Sequence, residues 1–169
     1  MKKSIWLALL FILMLGATLL SGSFTRAEAS VPKILDFDTM VGNTQAFTGA
    51  TNPIRGIDGG GLPWTIESGF GKLRADGRLD IQVRGLVLAA GEKAGSNPIP
   101  NFRAIVSCLG GDGSVQNVVT EAFPATTGPA SEGGGDAKIS TTIDLPQPCI
   151  APIVFVTSPT GAWFAATGK

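Results

Sequence analysis

The sequence predicts an all-β domain, a single antiparallel β-sandwich with a small β-barrel as the alternative, of about eight strands following a cleaved helical signal peptide. Three observations carry that prediction. Hydrophobic side chains alternate with polar ones at a period of two in several segments. Clusters of Gly and Pro separate those segments at "AGEKAGSNPIPN", "TTGPASEGGGD" and "LPQPC". No helical periodicity is found beyond the amino-terminal segment.

That amino-terminal segment reads as an address. Lys2 and Lys3 precede an apolar run from Ile5 to Leu20, and small and polar residues then lead to Ala27-Glu28-Ala29. The order of charge, apolar run and A-x-A site is that of a secretory signal peptide over residues 1–29, with cleavage before Ser30. An uncleaved anchor is the other reading, and the run is short for a membrane span. "LLSGS" has Ser23 where a lipoprotein signal needs a cysteine, so no thiol is there to be lipidated. The mature chain, residues 30–169, is then one secreted domain with no further membrane span.

The strands follow in order. Strands are expected near 33–41, 64–74, 78–89, 102–109, 114–123, 136–145, 152–157 and 162–167. In "RLDIQV", Leu79, Ile81 and Val83 face one way and Asp80, Gln82 and Arg84 the other. "KLRADGRLDI" is a hairpin turning at Asp76-Gly77. "FRAIVSC" places Phe102, Ala104, Val106 and Cys108 on one face. "AKISTTIDL" directs Ala137, Ile139, Thr141, Ile143 and Leu145 inward, with Lys138 and Ser140 outward. "IVFV" (Ile153 to Val156) is apolar throughout, as a central strand would be. Thr126 to Gly135 reads as a mobile loop. In "AWFAAT", Trp163 and Phe164 point to opposite faces, so one belongs to the core and the other to the surface or a sheet edge.

"RGIDGGGLPW" (Arg55 to Trp64) raises the question of a binding loop. A phosphate cradle would need a P-loop lysine or a following helix, and neither is present. The stretch therefore reads as a wide connection delivering Trp64 into a sheet, with Ile54 and Ile57 packed beneath it. Calcium is the metal reading. Asp36, Asp38, Asp58, Asp112 and Asp136, with Glu132 nearby, lie in acid-plus-glycine clusters. Calcium needs six to eight oxygens, which loops from several strands could supply. Asp-Gly is equally the preferred turn pair. No other metal and no cofactor is implied.

Cys108 and Cys149 read as a disulfide in an exported chain, joining the two sheets or pinning a loop to a strand end, with two separate buried thiols as the alternative. The chain has no His and no Tyr, which removes Ser-His-Asp and Cys-His catalysis. Carboxylate hydrolysis stays open through Glu67, Asp76 and Asp80 near Trp64. Removing Lys2, Lys3, Arg26 and Glu28 leaves 10 basic and 12 acidic residues, a net charge of −2 with interspersed signs. That offers no electrostatic basis for a nucleic-acid partner or an anionic membrane.

"FDTMVGNTQAFTGATNPIRGIDGGGLPW", "ADGRLDIQVRGLVL", "NFRAIVSCLGGDGSVQNVVTEAFPAT" and "LPQPCIAPIVFVTSPTGAWFAATG" cover nearly the whole mature chain. Together they resemble a group of uncharacterised small exported proteins from actinobacteria and other soil bacteria. The resemblance implies an exported β domain and assigns no activity and no site residues. The expected function is thus a secreted non-catalytic β-sandwich module with a binding or structural role, its partner an envelope protein or polysaccharide. A calcium-dependent or carbohydrate-binding sandwich using Trp64 or Trp163 as a ligand platform is the second reading, and a carboxylate glycoside hydrolase the third.

Overall fold

The computed structural model describes residues 30–168; the segment expected to be the signal peptide lies outside them, as does Lys169. Antiparallel strands dominate, in several sheets of which none closes into a barrel, so the sandwich alternative holds and the barrel does not. No helix among the described residues is long and apolar enough to cross a membrane.

The chain enters at β1 (Lys33–Phe37) and β2 (Met40–Gly42). These were expected as one strand over 33–41. The chain breaks at Asp38 and Thr39 instead, and the two halves serve different sheets. After β3 (Trp64–Thr65) comes the predicted hairpin, β4 (Ser68–Arg74) and β5 (Arg78–Arg84). Its turn uses Gly77 at φ 83°, a left-handed conformation that an L side chain would resist. β6 (Val87–Leu88) pairs with β3. β7 (Ser96–Asn97), β8 (Asn101–Leu109), β9 (Val115–Val119), β10 (Phe123–Pro124), β11 (Gly128–Pro129) and β12 (Ala137–Thr142) follow, then β13 (Ile150–Thr157) and β14 (Trp163–Thr167).

One sheet has the order β1-β4-β5-β12 and the other β10-β8-β13-β14-β2, with β9 also paired to β8. The predicted inward positions form the main core. Leu79, Ile81, Val83 and Ile139 of the first sheet lie in one buried cluster with Phe102, Ala104, Val106, Val154 and Val156 of the second. Val154 to Val156 is central, flanked by β8 and β14. The segment expected as a mobile loop, Thr126 to Gly135, is held by pairing. Gly128–Pro129 bonds to Ser96–Asn97, and the Asn97 side-chain amide donates to the Thr126 carbonyl at 2.8 Å.

The outer face of the second sheet carries its own apolar cluster of Ile57, Ile105, Phe155 and Trp163. The connection before β3 covers it. Gly59 bridges to Trp163, the Gly60 amide donates to the Trp163 carbonyl at 2.8 Å, and the Trp163 amide donates to the Asp58 carbonyl at 2.9 Å. Two expectations change as a result. Ile54 and Ile57 pack with Trp163 rather than beneath Trp64. Trp163 and Phe164 do face opposite ways, yet both are buried, because the glycine-rich connection roofs the face that sequence alternation leaves open. The register of β13 against β14 shifts at this point, Val156 facing Ala165 and Thr157 facing Trp163.

Cys108 and Cys149 form a disulfide with their Cα atoms 4.9 Å apart. Cys108 lies near the end of β8 and Cys149 just before β13, and β8 and β13 are neighbours. Of the two geometries open from sequence, the bridge takes the second: it pins the "LPQPC" connection to a strand end within one sheet.

Candidate binding face

The residues singled out from sequence do not converge on one point. Trp64 is 5% exposed and stacks on Phe164, with ring centroids 3.9 Å apart at 23°. Trp163 is 3% exposed. Neither ring offers an open face, so the expected ligand platforms are core residues, closed off by Phe164 on one side of the sheet and by the glycine-rich connection on the other.

The calcium candidates are likewise dispersed. Asp36 lies on β1 and pairs with Lys33. Asp38 is exposed at the break after β1, and Asp58 is exposed in the connection. Asp112 closes its own turn, accepting from the Ser114 amide at 2.9 Å and the Ser114 hydroxyl at 2.7 Å. Asp136 accepts from the Gly85 amide at 2.9 Å, and Glu132 is exposed in a short 3-10 turn. Among the described residues, no three His, Cys, Asp or Glu side chains gather closely enough to hold a metal ion. Asp36, Asp112 and Asp136 satisfy nearby donors instead, as turn-forming Asp residues do. Of the hydrolase candidates, Asp76 pairs with Arg78 at 2.6 Å and Asp80 accepts from Ser140 at 2.6 Å, while Glu67 is exposed beside Gly85.

The structure instead assembles a face that sequence reading missed. Strand alternation sends Ser68, Phe70, Lys72 and Arg74 of β4 outward, with Arg78, Asp80, Gln82 and Arg84 of β5 and Lys138, Ser140 and Thr142 of β12. Register then sets them in rows across the strands. Asp36, Lys72, Asp80 and Ser140 form one row, and Phe70, Gln82 and Lys138 the next. Lys33, Lys72, Arg74, Arg78, Arg84 and Lys138 belong to this sheet, which is six of the ten cations after residue 29. Three acids accompany them on its strands and hairpin turn, Asp36, Asp76 and Asp80; among the other described residues are nine acids and three cations. The charges that looked interspersed along the chain are segregated by the fold.

An open groove of about 340 Å³ runs over this face, lined by Phe70, Lys72, Arg74, Asp80, Gln82 and Lys138. Phe70 is 43% exposed at its centre. The Lys33 ammonium bonded to Asp36 holds that carboxyl below the ordinary carboxylate value. At Asp76 partial desolvation raises the pKa, but the Arg78 amide, guanidinium and charge outweigh it and the net shift is downward. Two of the six cations are thereby neutralised locally. Lys72, Arg74, Arg84 and Lys138 form no ion pair within the sheet, though Lys72 lies near enough to Asp36 to help lower its pKa.

Comparison of the chain with protein-family models, with characterised proteins and with solved structures returns no match.

Proposed function

We propose that the protein is an exported, non-catalytic β-sandwich module that binds a partner at the cell envelope or outside the cell, and that the open face of the β1-β4-β5-β12 sheet is its binding surface. The observation that carries the reading is the first sheet's outer face, where a groove runs among cations of three strands and centres on Phe70, the one exposed large aromatic among the described residues. The second sheet's outer face is partly covered by the glycine-rich connection, and its own grooves, of about 390 Å³ and about 230 Å³, are lined by no cation. Contact surfaces gather apolar area within a polar rim, and arginine is enriched among the residues that carry binding energy. The Cys108–Cys149 bridge fits an oxidising compartment, as the amino-terminal segment does.

Two measurements test the reading. Expressed with residues 1–29, the chain should leave the cytosol and begin at Ser30 by amino-terminal sequencing. Full-length protein retained in the cytosol would overturn export. The oxidised chain from Ser30 should then be melted against calcium, EDTA and soluble cell-wall glycans. A ligand at 100 times its Kd stabilises a fold by about 2.7 kcal/mol. A glycan-induced rise that Phe70→Ala abolishes supports the binding face. A rise with calcium that EDTA reverses would instead favour a calcium-dependent module.

A further inference from the structure

We infer that the β1-β4-β5-β12 face holds a linear acidic polysaccharide. The inference rests on the binding-face reading above and adds the chemistry of the partner. Three features of the groove select that chemistry together.

The first is charge. Lys72, Arg74, Arg84 and Lys138 stand on three adjacent strands of one face, outside the two ion pairs that occupy Lys33 and Arg78. Neighbouring strands are about 4.8 Å apart, and successive outward residues on one strand about 7 Å apart. The cations therefore form a shallow two-dimensional array rather than a single pocket. Such an array suits anions repeated along a chain and has no special fit for one isolated anion. Lysine and arginine both bind carboxylates, and arginine can do so through two parallel hydrogen bonds.

The second is Phe70, which lies in the row of Gln82 and Lys138 and beside Lys72 along its own strand. An exposed ring among cations gives the C–H face of a sugar ring an apolar partner while its acid groups reach the neighbouring cations. The third is the pair of polar groups in the groove. The Gln82 amide can donate and accept, and Asp80 can accept from a sugar hydroxyl as it does from Ser140. A polymer with anions alone would meet Asp80 as a repulsive charge. A polymer with both anions and hydroxyls meets it as an acceptor.

Charge elsewhere favours a polysaccharide over nucleic acid. The other described residues carry nine acids against three cations, which repels a stiff, densely charged duplex that overhangs the face. A flexible, more sparsely charged chain can follow the groove alone.

The test uses the oxidised chain from Ser30 in calorimetric titrations with polygalacturonate oligomers, neutral dextran oligomers of matched length, and a short DNA duplex. Polygalacturonate should bind, dextran should bind at least tenfold more weakly, and added salt should weaken the polygalacturonate complex. The double variant K72E/K138E, checked for fold by circular dichroism, should lose about tenfold or more in affinity. Phe70→Ala is the second variant and should weaken binding without changing the salt dependence. Equal binding of dextran and polygalacturonate, lost in Phe70→Ala, would overturn the acidic chemistry and leave the binding face standing. Wild-type polygalacturonate affinity in both variants would remove the site from this face. No binding of polygalacturonate, or tighter binding of duplex DNA, would overturn the inference.

Discussion

Arg55 reaches fifty-two residues along the chain to Ser107, donating from Nη1 to its carbonyl at 2.8 Å, while Nη2 donates to the Ala151 carbonyl at 2.9 Å. One guanidinium thus ties the start of the glycine-rich connection to β8 and to β13. It does so from a backbone held at φ 49°, in the left-handed region. The Asn117 side chain in turn donates to the Arg55 carbonyl at 3.1 Å.

Arg55→Ala should therefore destabilise the fold by about 2 kcal/mol, the scale of charge-assisted hydrogen bonds at a half-buried site. Arg55→Gly loses the same bonds but relieves the left-handed backbone, which costs a non-glycine residue about 1 kcal/mol. The glycine variant should be the more stable of the two in urea denaturation. Equal stability of both variants and the wild type would mean that the clamp contributes nothing measurable.

The three consecutive glycines serve different ends, and substitution should separate them. A Cβ on Gly59 would stand 1.8 Å from the Phe47 carbonyl oxygen, a backbone atom with little room to retreat. On Gly60 it would meet the Phe164 ring and the Trp64 indole nitrogen at 3.0 Å, and on Gly61 it would meet nothing within 4 Å. Gly59→Ala should cost about 3 kcal/mol as an overpacked contact. Gly61→Ala should stay within about 0.5 kcal/mol of the wild type. The same order of melting temperatures in both variants as in the wild type would refute close approach as the reason for the triplet.

These residues also mark where sequence reading stops. The alternation of Leu79, Ile81 and Val83 was legible because a strand has a period of two and a buried face must be apolar. What covers the other face was not legible. Ile105 and Trp163 are outward by alternation, and they are buried by Phe47, Ile54 and Ile57 and by the return of Asp58 to Gly60 alongside β14. The break at Asp38 was hidden for a similar reason: a strand that crosses between sheets keeps its propensity while changing its partners. The basic face lay half in view. Asp80, Gln82, Arg84 and Lys138 were read as outward, but Lys138 comes beside Gln82 only through a pairing of strands more than fifty residues apart, which no local pattern encodes.

Trp163 offers a cleaner distinction between core and platform. Its side chain is 97% buried, and its indole N–H has no hydrogen-bond partner. Trp163→Ala should cost about 4 kcal/mol, as large aromatic truncations in cores do. Trp163→Phe removes the unpartnered donor together with part of the ring, and the two effects oppose each other. It should cost about 1–2 kcal/mol by chemical denaturation. An alanine variant as stable as the wild type would return Trp163 to the surface.

The disulfide spans 41 residues of sequence, so its removal should loosen chiefly the unfolded chain. In the chain-entropy model a loop of that length contributes about 4 kcal/mol. The double variant C108A/C149A should fall by about that amount in urea. Its denaturant slope should rise, because an unfolded chain without the cross-link exposes more surface. An unchanged slope with lower stability would place the effect in the folded state, at the joint between the "LPQPC" connection and β8.

Acid should weaken the fold through carboxylates that the folded chain keeps ionised. The Ser114 hydroxyl, then the Ser114 amide, lower Asp112 below the ordinary value of 3.8, outweighing a smaller opposing desolvation. Asp36 and Asp76 shift in the same direction. A carboxyl whose pKa is lower folded than unfolded binds fewer protons in the native state at mildly acid pH. Its contribution is complete above the unfolded value and is lost as the pH falls through the folded one. Stability should therefore hold steady from neutral pH down to about pH 5 and decline below about pH 4, measured as the urea midpoint at each pH. Asp112→Asn keeps an oxygen for the Ser114 donors but cannot titrate, so its decline in acid should be shallower than that of the wild type. An identical acid limb in the two proteins would show that the Ser114 turn contributes nothing to the pH dependence, and would leave the Lys33–Asp36 and Arg78–Asp76 pairs as its source.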